Sequence, residues 1–215
     1  MRVLSLVSAG LVLFSTIPAL PASEAEPDTL TLNFAVMREG QQIGTSTTRL
    51  RHEGAQTIAE IATHIAVKIA HVTVYRFDQT ATEHWVDGYL VAMTAQTNDN
   101  GTVHKVSAKS RGDTLAVEAD GKLSEADPSL VPISLWNAAL VDRKTAINPL
   151  DGAVTPLSVV DRGKEQLVVH GQPTTAHRYS IATTFPQDVW YDRQRRLVKV
   201  EFRGSDGSRI WYQRG

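Results

Sequence analysis

The stretch Gln56-Thr57-Ile58-Ala59-Glu60-Ile61-Ala62-Thr63-His64-Ile65-Ala66-Val67-Lys68-Ile69-Ala70-His71-Val72-Thr73-Val74-Tyr75 decides how this chain folds. Its isoleucines at 58, 61, 65 and 69 are three, four and four residues apart, the spacing of one helix face. The same stretch also alternates. Ile61, Ile65, Val67 and Ile69 share one parity, and Glu60, His64 and Lys68 share the other, as on the two faces of a strand. No cap or stop signal separates it from Val72 to Tyr75, whose β-branched and aromatic side chains suit a pleated sheet. We read it as one long strand, with a helix over residues 56–70 as the alternative.

Working outward, the rest of the chain repeats this character. Val and Thr together number 43, about a fifth of the 215 residues, and their branched Cβ favours extended backbone. Asp87-Gly88, Asn100-Gly101, Asp120-Gly121, Asp151-Gly152 and Asp206-Gly207 are dipeptides that accept the positive φ of tight hairpins. Further Gly-centred breaks fall at Gly40, Gly54, Gly112, Gly163 and Gly171. Leu30, Leu32, Phe34 and Val36 share one parity, with Thr31 and Asn33 between them. Near the other end, Leu197 to Arg203 alternates likewise and Ser208 to Gln213 reads as its partner strand. One helix is expected, over residues 134–141, where Leu135-Trp136-Asn137-Ala138-Ala139-Leu140 follows a possible Ser134 cap. It would plug or cover one end of the sheet. The expected fold is mainly β: a strongly curved antiparallel sheet or open half-barrel of consecutive hairpins with that one short helix.

Met1-Arg2, an uncharged run from Val3 to Ile17, and Ser23-Glu24-Ala25 follow the order of a secretory signal. The run is shorter than the roughly 20 residues that span a bilayer. Residues 1–25 are therefore expected to be a signal peptide and 26–215 a single β domain in the bacterial periplasm, with no transmembrane segment after cleavage. The absence of cysteine excludes disulfides, thiol nucleophiles, Cys-ligated metals and a lipid-modified N-terminal Cys. A net charge of −1 argues against nucleic acid as a partner. Residues 191–215 nevertheless carry seven Lys or Arg against three acids, and Arg193, Arg195 and Arg196 crowd one turn. A solvated hairpin accounts for them, with an envelope-surface contact as the alternative.

No metal-ligand spacing links the seven histidines, and no nucleophile elbow, P-loop or dinucleotide fingerprint occurs. Neither a metal nor a cofactor is expected, and no catalytic residue is assigned. Glu83 stands out because it shares the parity of Tyr75, Phe77, Ala81 and Trp85. A carboxyl on an apolar face needs a partner or a ligand. Tyr75, Phe77, Glu83, Trp85 and Trp136 are the candidate ligand-binding residues. For Glu83 a structural bond and an acid/base role both remain open.

Glu83-His84-Trp85-Val86-Asp87-Gly88-Tyr89-Leu90, Thr97-Asn98-Asp99-Asn100-Gly101, Leu135-Trp136-Asn137 and Trp190-Tyr191-Asp192, in that order, resemble a family of uncharacterised exported bacterial proteins. Leu197-Val198, Phe202, Asp206-Gly207-Ser208 and Tyr212 continue the likeness. The resemblance implies a periplasmic, curved antiparallel sheet, similar in shape to the half-barrel of lipoprotein carriers, and it transfers no catalytic residue. Three functions are then in play: a carrier of an apolar or amphipathic envelope ligand, an envelope interaction protein that pairs through strand edges, and a hydrolase using Glu83.

Overall fold

The computed structural model describes residues 28–183 and 185–214. The signal peptide expected at residues 1–25 lies outside them. The first eight strands are β1 (Asp28–Arg38), β2 (Gln41–Glu53), β3 (Gln56–Ile69), β4 (Val72–Val86), β5 (Tyr89–Asp99), β6 (Thr102–Arg111), β7 (Thr114–Ala119) and β8 (Lys122–Ala126). A long connection follows, holding a 3-10 turn at Ala138–Asp142 and two short strands, β9 (Thr145–Ile147) and β10 (Val154–Pro156). The chain ends with β11 (Ser158–Val169), β12 (Gln172–Ala182), β13 (Gln187–Tyr191), β14 (Leu197–Arg203) and β15 (Arg209–Arg214).

The deciding stretch is extended, not helical, but it is two strands. Ala70 and His71 form a tight turn with φ of +46° and +71°. Type I′ geometry normally calls on Asn or Gly, so no turn residue marked the reversal. Five other two-residue turns have the same positive pair: Glu39-Gly40, Asp87-Gly88, Asn100-Gly101, Asp120-Gly121 and His170-Gly171. Gly163, read as a break, instead sits at a bulge inside β11.

Thirteen strands form one antiparallel sheet in the order β11-β12-β13-β14-β15-β1-β2-β3-β4-β5-β6-β7-β8. Every neighbour is next in sequence except β15 and β1, which join the two halves through Phe34 opposite Arg214 and Val36 opposite Tyr212. The sheet stays open, with β8 and β11 as its edges. Its inner face carries the core: Leu32, Phe34, Leu50, Ile61, Met93, Val106, Leu115, Val117, Val189 and Val200 belong to one buried cluster. One row of that face crosses six strands through Leu50, Ala59, Glu83, Met93, Ala108 and Val117.

Residues 127–157, the connection from β8 to β11, run inside the curve. Leu130, Val131, Ala138, Leu140, Ala146 and Ile147 from this segment are buried in the same cluster as the sheet residues. Gly152 packs on the wall so closely that a Cβ there would lie 2.7 Å from Ala119 Cβ. The chain thus supplies its own plug. The expected helix over 134–141 is only the 3-10 turn at Ala138–Asp142, capped by the Asn137 side chain on Ala139 N–H and not by Ser134. Its five residues are held by burial of Ala138 and Leu140, because so short a helix has no stability of its own.

Candidate functional site

The five candidate residues divide into two places. β4 alternates, so Tyr75, Phe77, Glu83 and Trp85 share one face. Six residues separate Phe77 from Glu83, about 20 Å along the strand. Tyr75 and Phe77 lie near the β3–β4 turn, with Tyr75 exposed and its hydroxyl donating to Asp99 at 2.8 Å. Glu83, Trp85 and Trp136 meet in the core.

Glu83 is 0% exposed. Its cross-strand neighbours are Ala59 and Met93, and the small Ala59 is compatible with the close approach of the plug. Trp85 Nε1 donates to Glu83 Oε2 at 3.0 Å and Trp136 Nε1 donates to the same oxygen at 2.9 Å. The two indoles meet edge to face, centroids 5.8 Å apart. One carboxyl oxygen therefore ties wall to plug. The other oxygen and the Ser134 hydroxyl are both buried without a well-formed hydrogen bond.

Burial pushes the Glu83 pKa up to about 7, although the bonds from Trp136 and Trp85 and the nearby Ser134 hydroxyl pull it down. A protonated Oε1 has a proton to give and Ser134 Oγ can accept it. The neutral acid can therefore satisfy both orphan atoms. As an acid/base group Glu83 has the right pKa range but no solvent-facing surface on which a substrate could reach it. Its geometry is that of a latch.

A second feature was not among the candidates. A pocket of about 400 Å³ opens between the 3-10 turn and the inner face of β11–β13. Ala138 and Val141 line it on the plug side, and Tyr179, Tyr191 and His177 line it on the sheet side. His177 stacks on Tyr179 at 4.6 Å and its Nε2 lies 2.6 Å from Asp161. Tyr191 donates its hydroxyl to Leu135 O at 2.8 Å, and burial raises its pKa. The crowded arginines Arg193 and Arg195 also line the pocket, which a sequence reading as a solvated hairpin did not connect to any cavity. The available signal was the turn's charge; its position over β12 and the 3-10 turn depends on tertiary packing.

His64 and His84 are exposed on polar strand faces. Trp190, on the opposite face from Tyr191, forms a small outer cluster with Val169, Ala176 and Val198. Its Nε1 donates to Glu165 Oε2 at 2.8 Å while Lys199 and Arg178 lie over its ring at 4.2 and 5.1 Å, an arrangement that stabilises by cation–π attraction. Among the described residues no group of three His, Asp or Glu side chains converges to hold a metal ion, and no helix is long and apolar enough to cross a membrane.

No curated protein matches the chain in sequence. Among solved structures it is similar to a "beta-barrel-like protein" of Domain of Unknown Function DUF1849 from Brucella abortus. That likeness has a TM-score of 0.62 and 12% identity, covering 88% of this chain and 96% of the other. At that identity the likeness concerns the fold alone. A family model described as Domain of unknown function (DUF6134) matches residues 34–215, and the chain belongs to that family.

Proposed function

We propose that this chain is an exported, periplasmic, non-enzymatic binding or carrier protein for a small amphipathic ligand of the cell envelope, built as one domain. The observation that carries the reading is the pocket of about 400 Å³ left between the plug and the tyrosine-bearing inner wall. Its volume falls in the range of small-molecule sites, and its lining mixes apolar surface with a few placed polar groups. The burial of Glu83 behind Trp85 and Trp136 supports a structural over a catalytic role. The five residues first singled out have different parts in this reading. Glu83, Trp85 and Trp136 fasten the plug, and Tyr75 and Phe77 edge the inner face near the β3–β4 turn. Native mass spectrometry of the protein purified from a bacterial periplasm tests it. A co-purifying small molecule lost on denaturation is expected. A bare protein mass, with no thermal shift in an envelope lipid extract, overturns it.

One observation favours a second reading, an envelope interaction protein. Pairing of β3 with β2 ends at Ile65 and pairing of β4 with β5 ends at Phe77. Residues 66–76 therefore form a two-stranded ribbon with open edges. Its tip exposes Ile69 (61%), Val72 (65%) and Val74, the type of surface that accepts an added strand. A photo-crosslinker at position 72 in living cells should capture one reproducible partner; its failure to do so refutes this second reading.

A further inference from the structure

Lys164 and Arg193 line the pocket between the 3-10 turn and β11–β13, are exposed, and have no ion pair among the described residues. The acids around them are already engaged. Asp192 accepts from Arg196 Nε at 2.7 Å and from two backbone N–H groups of its own turn. Asp161 is held by His177 at 2.6 Å. Asp142 is held by Arg195, which also donates to Ala138 O at 2.6 Å and so fastens the β13–β14 turn to the plug beside the pocket. The cationic rim is thus set by the fold, and among the described residues two of its charges have no counter-charge.

We propose that this pocket takes the anionic headgroup of an amphipathic ligand, a phosphate or carboxylate bound by Lys164 and Arg193, with its apolar part against Ala138, Val141 and Tyr179. The inference rests on reading the pocket as the binding site. A guanidinium and an ammonium at the same mouth suit an oxyanion, for which Arg supplies a planar fork and Lys a point charge. Neither cation is buried, so neither imposes a desolvation cost on the empty protein.

Titration calorimetry of the purified protein with n-decyl phosphate, n-decyl maltoside and inorganic phosphate tests it. The phosphate amphiphile is expected to bind about tenfold more tightly than the neutral one, the effect of two exposed charge-assisted contacts. The double variant K164E/R193E should erase that preference while leaving the unfolding midpoint unchanged. Equal binding of the two amphiphiles, or a preference that survives the double variant, overturns the anionic headgroup and leaves the binding reading standing. Inorganic phosphate binding as tightly as decyl phosphate overturns the amphipathic part. Binding of none of the three overturns the headgroup proposal and counts against the pocket as a ligand site.

Discussion

Replacing Glu83 by Gln is expected to remove a pH dependence from the stability of the fold. Folding carries this carboxyl from an ordinary pKa of 4.5 to about 7, because burial outweighs the hydrogen bonds from Trp136 and Trp85 and the effect of the nearby Ser134 hydroxyl. The unfolded chain therefore releases the proton near 4.5 and the folded chain keeps it until about 7. Between those values the folded state binds more protons, so its stability falls as pH rises. The contribution is fully present below the unfolded pKa and is lost by the time pH has passed the folded one. The change from 4.5 to about 7 corresponds to about 3 kcal/mol. Gln keeps an oxygen for the two indole N–H groups of Trp85 and Trp136 and places an amide donor beside Ser134, so it mimics the neutral acid. Urea unfolding of both proteins, followed by tryptophan fluorescence from about pH 4 to about pH 8, measures the difference. Subtracting the variant's curve cancels the seven histidines common to both. Wild type is expected to lose about 3 kcal/mol relative to E83Q across this range and then level off. A flat difference, or a wild type that gains on the variant as pH rises, would refute the latch as described. The second result would mean a carboxylate held in its charged form.

Three further outcomes follow from packing and turns. Gly44→Ala places a Cβ against the carbonyl oxygen of His64 on β3, so it should cost at least about 2 kcal/mol in urea unfolding; a neutral result would mean that β2 does not approach β3 this closely. Leu140→Ala removes a fully buried plug side chain from the main core cluster. It should cost about 2–4 kcal/mol in one cooperative transition with the sheet, whereas a separate early transition would show the plug folding independently. Ala70→Asn with His71→Gly gives the β3–β4 turn residues suited to its two positive φ values and should raise stability by about 1 kcal/mol, read as a higher melting temperature.

Residue pattern made the sheet legible because strand alternation is a local signal. Leu32, Phe34 and Val36 fall on one face by parity alone and all three are buried. Glu83 was placed on the inner face by the same count. Tight turns were legible only where their chemistry was ordinary. Asp87-Gly88 marks itself, but Ala70-His71 does not, since the turn there is imposed by the pairing of Ile69 with Val72 and of the residues beyond. The helix expected over 134–141 is cut back to the 3-10 turn at Ala138–Asp142 for a related reason. Leu135-Trp136 has helical composition, but Trp136 is committed to Glu83 and Leu135 sits at φ +63° with its carbonyl accepting from Tyr191. Tertiary demands on these two residues override their propensity. The pocket was illegible altogether, because it is lined by residues from Ala138 to Arg195 whose proximity is set by the return of the chain across the sheet.

The position of Glu83 gives the plug a physical meaning that its apolar residues alone do not. Leu140, Ala146 and Ile147 would be satisfied by many orientations against an apolar wall, since burial is not directional. Two indole donors converging on one carboxyl oxygen are directional, and they admit only a narrow range of positions for Trp136 relative to β4. Fixing Trp136 also fixes its neighbour Leu135, on which Tyr191 anchors, and so the spacing between the 3-10 turn and β13. That spacing is a width of the pocket. Loss of the latch through Glu83→Ala leaves the buried Trp85 N–H and the partly buried Trp136 N–H unpaired, at up to about 1–3 kcal/mol each. It should therefore destabilise the fold and, in the same protein, alter the binding of decyl phosphate without touching any group at the pocket mouth. Unchanged affinity in a destabilised but folded E83A variant would show that the latch holds the plug without setting the pocket.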